Sequence, residues 1–381
     1  MTRHALQMFM CRPTISCVLL SLCLNVATGD DQYVMVGDLQ VHPAEINLDH
    51  RRHPHSISVT SQTADGQLVD LTSQTTFTSS DETIAKVSQL GWVQPVSSGT
   101  VEVSIEADGR SSKVKVTVAL PDVPRLYSFR HDVMPVLSKA GCNAGSCHGY
   151  SLGKNGFKLS LRGSDPTYDF KAITDEFLER RVNRHQPAAS LILGKPLGDV
   201  PHEGGIRIEQ DSLLHEYMLG WITDGAKSDL AEPATIESIR IYPENVVLRP
   251  DMQQQLQLMA EYSDGSIRDV TRLGIYNVNT TRIADVTDEG LVTANQLGES
   301  AVVARFERIF ATSNFIVLQP EPEFQPTPLP ENNVVDKFVI QKLNKLNIKP
   351  SELTADETFL RRVYVDMIGI QPTPDERQQF I

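Results

Sequence analysis

The chain has 381 residues, with 35 Lys and Arg against 48 Asp and Glu, giving a formal net charge of -13 and a pI near 5.2. That length exceeds one ordinary hydrophobic core and implies several modules. The acidity, with no run of Lys or Arg, argues against a nucleic acid or an anionic membrane surface as partner, because both select basic patches.

Arg3 and Arg12 flank the start of an apolar stretch from Ile15 to Ala27, which gives way through Ala27-Thr28-Gly29 to Asp30-Asp31. This order predicts a secretory signal over residues 1–29, cleaved after Gly29. The stretch is shorter than the ~20 residues a spanning helix needs, so no transmembrane span is expected in the mature chain. Leu20-Ser21-Leu22-Cys23 lacks the small residue that a lipoprotein site places before its cysteine. The expected location is exported, either periplasmic or at the cell surface. Of the five cysteines, Cys11, Cys17 and Cys23 would leave with the signal. Cys142 and Cys147 would remain, in an oxidising compartment.

From residue 36 to 119 the pattern is short runs of period two, such as Ser112 to Val118, separated by turn signals. Such alternation predicts antiparallel strands facing one core. Residues 236–318 repeat it. Asp65-Gly66, Asp70, Thr72, Ile84-Ala85, Val87, Gly91, Val93 and Gly99 recur 199 positions later as Asp264-Gly265, Asp269, Thr271, Ile283-Ala284, Val286, Gly290, Val292 and Gly298. The opening strands, Leu39 to Pro43 and Ile239 to Pro243, match at 200, so a loop has absorbed one residue. Each copy has the size and rhythm of a β-sandwich, and the shared Asp-Gly-x-x-x-Asp-x-Thr resembles the group 2 bacterial immunoglobulin-like domains. That resemblance implies spacers or surface-binding units, with a cell-surface polysaccharide or protein as ligand. The shared positions themselves read as turn chemistry and core.

Between the copies, residues 124–227 change texture. Phe129, Val133, Val136 and Leu137 predict a helix over Tyr127 to Ala140. A helix is expected from Asp169 to Arg181, a loop from Pro196 to Gly205, and a last helix from Asp211 to Thr223 with Leu214, Met218 and Trp221 on one face. His50, His53 and His55, in the first copy, read as a solvated loop. After the second copy, residues 319–333 form a Pro-rich linker. Residues 334–381 are expected to be helical. Val335, Phe338, Val339, Leu343 and Leu346 form one stripe, Thr354 to Glu357 reads as a capping box, and Thr373-Pro374-Asp375-Glu376 opens a further helix. That helix would run only about two turns before Ile381, as if a longer region began here.

The chemistry concentrates at Gly141-Cys142-Asn143-Ala144-Gly145-Ser146-Cys147-His148-Gly149. Two thiols followed at once by a histidine are how a c-type haem is attached: the sulfurs bond to its two vinyl groups and the histidine ligates iron. The usual spacer between the cysteines is two residues, whereas here it is four, so Ala144, Gly145 and Ser146 must let the loop bulge. No methionine occurs between His148 and Met218. His202 is therefore the leading sixth ligand, with His185 second. Three readings stay open: haem c on Cys142, Cys147, His148 and His202; a Cys142–Cys147 disulfide; and a zinc site using the same four residues. Gly149 to Asn155 lacks phosphate-loop spacing, and His215 with Met218 reads as surface and core. No hydrolase or transferase site is visible, so an electron carrier with an unidentified redox partner fits better than a catalyst.

Taken with Gly153 to Gly163 and with Phe359-Leu360-Arg361-Arg362-Val363-Tyr364-Val365-Asp366 and Pro372-Thr373-Pro374, these residues resemble a family of secreted planctomycete multidomain proteins. The resemblance implies two all-β immunoglobulin-like sandwiches flanking an all-α cytochrome c-like domain, followed by the start of a helical domain of unknown function.

Overall fold

The computed structural model describes residues 35–64, 66–231, 234–319, 324–326 and 328–381. The signal sequence with Cys11, Cys17 and Cys23, and also Asp65, Pro320 and Pro322, lie outside the described residues. Among those described, no helix is long and apolar enough to cross a membrane.

The first copy contributes β1 Gln40–His42, β2 Glu45–Leu48, β3 His55–Ser56, β4 Ser58–Gln62, β5 Leu68–Asp70, β6 Thr76–Ser79, β7 Ala85–Val87, β8 Trp92–Pro95, β9 Gly99–Ala107 and β10 Arg110–Val118. They form sheets ordered β2-β10-β9-β6, β1-β4-β5 and β3-β8-β7. The period-two pattern does what it predicted. Val101, Val103, Ile105 and Ala107 of β9 and Val114, Val116 and Val118 of β10 all face the core, with Val103 opposite Val114 and Val101 opposite Val116. β2 runs parallel to β10.

The middle segment is built of short helices: α1 Met134–Lys139, preceded by a π turn at Phe129–Val133, then α2 Pro166–Thr174, α3 Leu191–Leu197 and α4 Leu213–Thr223. Phe129, Phe170 and Trp221 meet at its centre, with ring centroids 5.0 to 6.3 Å apart, so the first and last helices pack as a pair. Two boundaries differ from expectation. The helix expected to reach Arg181 stops at Thr174, because Phe177, Leu178 and Glu179 adopt left-handed φ of 52°, 57° and 59°. Pro196 closes α3 rather than opening a loop.

The second copy supplies β11 Ile236–Tyr242, β12 Asn245–Leu248, β13 Gln253–Gln255, β14 Gln257–Tyr262, β15 Ile267–Asp269, β16 Ile275–Val278, β17 Ala284–Val286, β18 Leu291–Ala294, β19 Gly298–Phe306 and β20 Ile309–Val317. Its sheets, β12-β20-β19-β16, β11-β14-β15 and β13-β18-β17, repeat those of the first copy. From β5 and β15 onward, every strand pair starts 199 residues apart.

Sequence suggested two spacers with the helical segment between them, but in space the copies meet directly. Asp70 Oδ2 accepts from Gln255 N at 2.6 Å and Asp269 Oδ2 accepts from Ser56 N at 2.8 Å. Ser56 and Gln255, like Asp70 and Asp269, are equivalent residues. The contact is thus isologous, each copy offering the same carboxylate to the same backbone position of the other. His42 and Tyr242, also equivalent, stack on each other with centroids 3.8 Å apart and planes 12° apart.

The helical segment breaks this symmetry. Arg268, whose counterpart Val69 stays in its own core, reaches into the segment. It donates to His131 O at 2.8 Å and Tyr217 OH at 3.3 Å, and pairs with Asp132 at 3.0 Å. Here the histidine loop departs from expectation. His50 is buried and stacks on His53 at 3.8 Å, and His53 lies 3.7 Å from Asp132. His55 Nδ1 sits 3.8 Å from the buried carboxylate of Asp269. Rather than being solvated, these residues form the seam where both sandwiches meet the helices.

The tail forms α5 Val334–Lys345, α6 Asp356–Ile368 and α7 Pro374–Phe380. Asn333 with Asp336 and Thr373 with Glu376 make capping boxes. The box expected at Thr354 is absent: Ala355 is the N-cap and brings no side-chain acceptor. Leu360 is the one fully buried residue of these three helices, while Val335, Phe338 and Val339 of the stripe are exposed.

Candidate functional site

The loop after α1 is knitted by its own backbone. Cys142 N donates to Leu137 O at 2.8 Å, Cys147 N to Ala144 O at 2.9 Å and His148 N to Cys142 O at 3.0 Å. The four-residue spacer is stowed as consecutive turns, which keeps His148 hydrogen-bonded to the first cysteine. Gly149 closes the loop because nothing larger fits, since a Cβ there would lie 2.1 Å from Asn143 O. Asn143 is buried and donates to Ser138 Oγ at 2.9 Å.

Cys142, Cys147, His148 and His202 all line one cavity of about 590 Å³, with Phe157 and Phe177 among its walls. The two cysteines are not bridged to each other. Burial, and then the neighbouring Cys147, push the Cys142 thiol up to about 12, so it is a protonated thiol at neutral pH. His148 is held low by burial, with His202 adding to the effect, and is neutral.

Hydrogen bonding sets the tautomer of both imidazoles. His148 Nδ1 lies 3.0 Å from Phe157 O, and His202 Nδ1 lies 3.0 Å from Gly205 O. A carbonyl can only accept, so each Nδ1 carries a proton, and in the neutral ring Nε2 is the nitrogen with the lone pair that can ligate. The ring centroids are 6.2 Å apart with planes 10° apart.

The loop carrying His202 is tied at three points. Lys195 Nζ donates to Pro201 O at 3.1 Å, Arg207 Nε to Gly204 O at 2.7 Å, and His202 to Gly205 O. Gly204 has no side chain to spare room for, because a Cβ would come within 2.8 Å of the His202 ring. Behind His148, Asp169 is fully buried and accepts from Ser160 N and Oγ at 2.5 and 2.6 Å. Burial raises its pKa to about 6. Leu159 N, next to Ser160, donates to His148 O, so Asp169 braces the strip that holds the imidazole.

Of the residues singled out from sequence, four converge and three do not. His185 is exposed and lies outside the cavity lining, as do the buried His215 and Met218. Among the described residues no three His, Cys, Asp or Glu side chains gather as ligands for one ion, so the four-residue zinc arrangement is not assembled. Lys195, Arg207 and Asp169 were not anticipated. No local motif marks them: the folding back of α3 and the His202 loop brings Lys195 and Arg207 to the cavity wall, and α2 places Asp169 behind it on Ser160.

Residues 334–381 match the family described as a protein of unknown function, DUF1549 (PSCyt2), and residues 235–305 match the bacterial Ig-like domain, group 2. No curated protein matches the chain. Among solved structures, the S-layer protein rSbsC(31-844) is 9% identical with a TM-score of 0.20, the match covering 76% of this chain and 28% of that one. The chain thus spans under a third of the length of that protein. Domains 5–6 of SbsC give 12% identity, coverage of 76% and 100%, and a TM-score of 0.30. The Yersinia pseudotuberculosis adhesin InvE gives 9%, 76% and 62%, and 0.16. Scores of this size leave the functional reading to the family matches and to the site.

Proposed function

We propose that the chain is an exported surface protein in which a pair of immunoglobulin-like sandwiches carries a helical, cytochrome c-like segment holding a covalently attached haem. The observation behind this is the pair of Nδ1-protonated imidazoles 6.2 Å apart in the cavity that also receives Cys142 and Cys147. The residues fit the group. The two thiols would anchor it, and His148 and His202 would be the protein's ligands to its iron, which supplies one-electron chemistry. The protein's part is to fix both rings through backbone carbonyls, brace His148 through Asp169 and wall the site with Phe157 and Phe177. Bis-histidine ligation favours a lower potential than a His and Met pair, because Met raises it.

A second reading keeps only the scaffold. The match to the Ig-like family bears on the second sandwich, whose sheets the first repeats, and favours a cell-surface role, with a polysaccharide or protein as ligand, independently of haem. In that reading Cys142 and Cys147 pair with each other after export. The spectrum of the exported full chain, produced alongside a haem-attachment system, separates the two. The first reading predicts a c-type reduced-minus-oxidised spectrum that changes in His202→Ala. A protein without haem absorption supports the scaffold alone, and a haem spectrum untouched in His202→Ala removes His202 as ligand.

A further inference from the structure

The cavity wall has a charge opposite to that of the molecule. Overall, acidic residues outnumber basic ones, 48 to 35, yet the wall carries Lys154, Arg180, Arg181, Lys195 and Arg207 against the single carboxylate of Glu203. A cavity so lined selects an anionic occupant, because the cations repel one another until a counter-charge enters. Not all five are equally available. Arg181 is already committed, donating to Ala172 O and Gly156 O and pairing with Glu176. Lys195 and Arg207 each give one donor to the His202 loop, at Pro201 O and Gly204 O. Lys195 keeps two further N–H donors and Arg207 keeps four. Both are therefore anchored in place with most of their hydrogen-bonding capacity unspent, one on either side of His202 in the loop.

We infer that Lys195 and Arg207 are carboxylate-binding residues of this cavity, and that its occupant is an anionic tetrapyrrole whose two acid side chains they grip. This rests on the reading of the cavity as a haem pocket, and it adds to the thiols and imidazoles the groups that would orient the ring within its plane. Anchored cations that meet carboxylates in a partly dry site form the stronger, charge-assisted class of hydrogen bond. The same two residues close the loop bearing His202, so ligand acids and loop position are coupled.

The test uses the full chain made without any attachment system and needs neither iron nor covalent bonding. Protoporphyrin IX and its dimethyl ester are titrated separately, and binding is followed by porphyrin fluorescence. The diacid is expected to bind at least about tenfold more tightly than the diester. Lys195→Gln with Arg207→Gln should erase most of that preference, and Arg207→Lys should restore part of it. Equal affinity of the wild type for diacid and diester, failure of both to bind, or an unchanged preference in the double variant would each overturn the assignment. Should the double variant misfold, the comparison on the wild type alone still decides. Failure of the haem reading looks different: the diacid would bind selectively while the exported chain acquired no covalent haem.

Discussion

Asp132 and Arg268 show how much one buried pair governs. Their side chains are 4% and 5% exposed and 3.0 Å apart. Burial works to raise the Asp132 pKa, but Arg268 and His53 overcome it and hold the carboxyl below its usual range. Removing one partner leaves the other charged and dry, which costs ~3–5 kcal/mol. Arg268→Ala should therefore lower the unfolding free energy by about that amount, while the Asp132→Leu, Arg268→Met pair should recover much of it. A denaturant titration of the three variants checks this, and equal losses in the single and double variants would show that the charge pairing is not what matters. Sequence could not have found this pair. Arg268 occupies a position that its equivalent, Val69, spends on the core, and its partner lies 136 residues earlier in another module.

Among the elements, local chemistry was readable where a residue acts on its own neighbourhood. Thr373 caps α7 as its spacing announced, and the strands of the two copies keep their register because alternating Val and Ile residues leave only one face to bury. Thr354 to Glu357 had the letters of a capping box but not its backbone, since α6 begins one residue later behind Ala355. A side-chain acceptor there should repair the end: Ala355→Asp is expected to stabilise α6 by ~0.5–2 kcal/mol, read as slower amide exchange in residues 357–359. Unchanged exchange would mean that the helix end is not set by its cap. The histidine loop was misread for the opposite reason. Polar composition within the loop suggested solvent, whereas the burial of His50 and His53 comes from elements that pack on it from elsewhere in the chain.

For the whole molecule, the seam joining the sandwiches to the helices is also where acid should act. Burial, then His53, lowers His50 to about 2, and burial, then Arg268, lowers His53 to about 4. A histidine depressed in the fold binds fewer protons there than when unfolded. Its stabilising effect is complete above pH 6.5 and is lost as pH falls from 6.5 through about 4. Asp132, depressed for its own reasons, adds a loss below the ordinary carboxylate pKa of 3.8. Asp169, raised to about 6, works the other way, since its protonation in the fold favours the native state between pH 3.8 and 6 relative to higher pH. Over pH 7 to 4, then, Asp132 does not yet act, and the losses at His50 and His53 oppose the gains at Asp169 and at Asp70, which burial also raises. With both histidines depressed by the larger margin, the thermal midpoint should fall between pH 7 and 4, and fall less in His53→Gln. A midpoint that is flat over that range would contradict the burial of the seam.

The duplication, the helical segment and the convergence on Cys142, Cys147, His148 and His202 could be read from the sequence, because each leaves a local mark or a fixed offset. The direct pairing of the two copies could not, since Asp70 and Gln255 recognise each other across 185 residues. What those four residues hold decides the function of the helical segment. The intact mass of the exported full chain, produced with a haem-attachment system, measures it most directly. It is predicted to exceed the mature polypeptide by one haem, with Cys142→Ala plus Cys147→Ala returning it to the bare value. A wild-type mass lower than the polypeptide by two hydrogens would show a Cys142–Cys147 disulfide and contradict the claim.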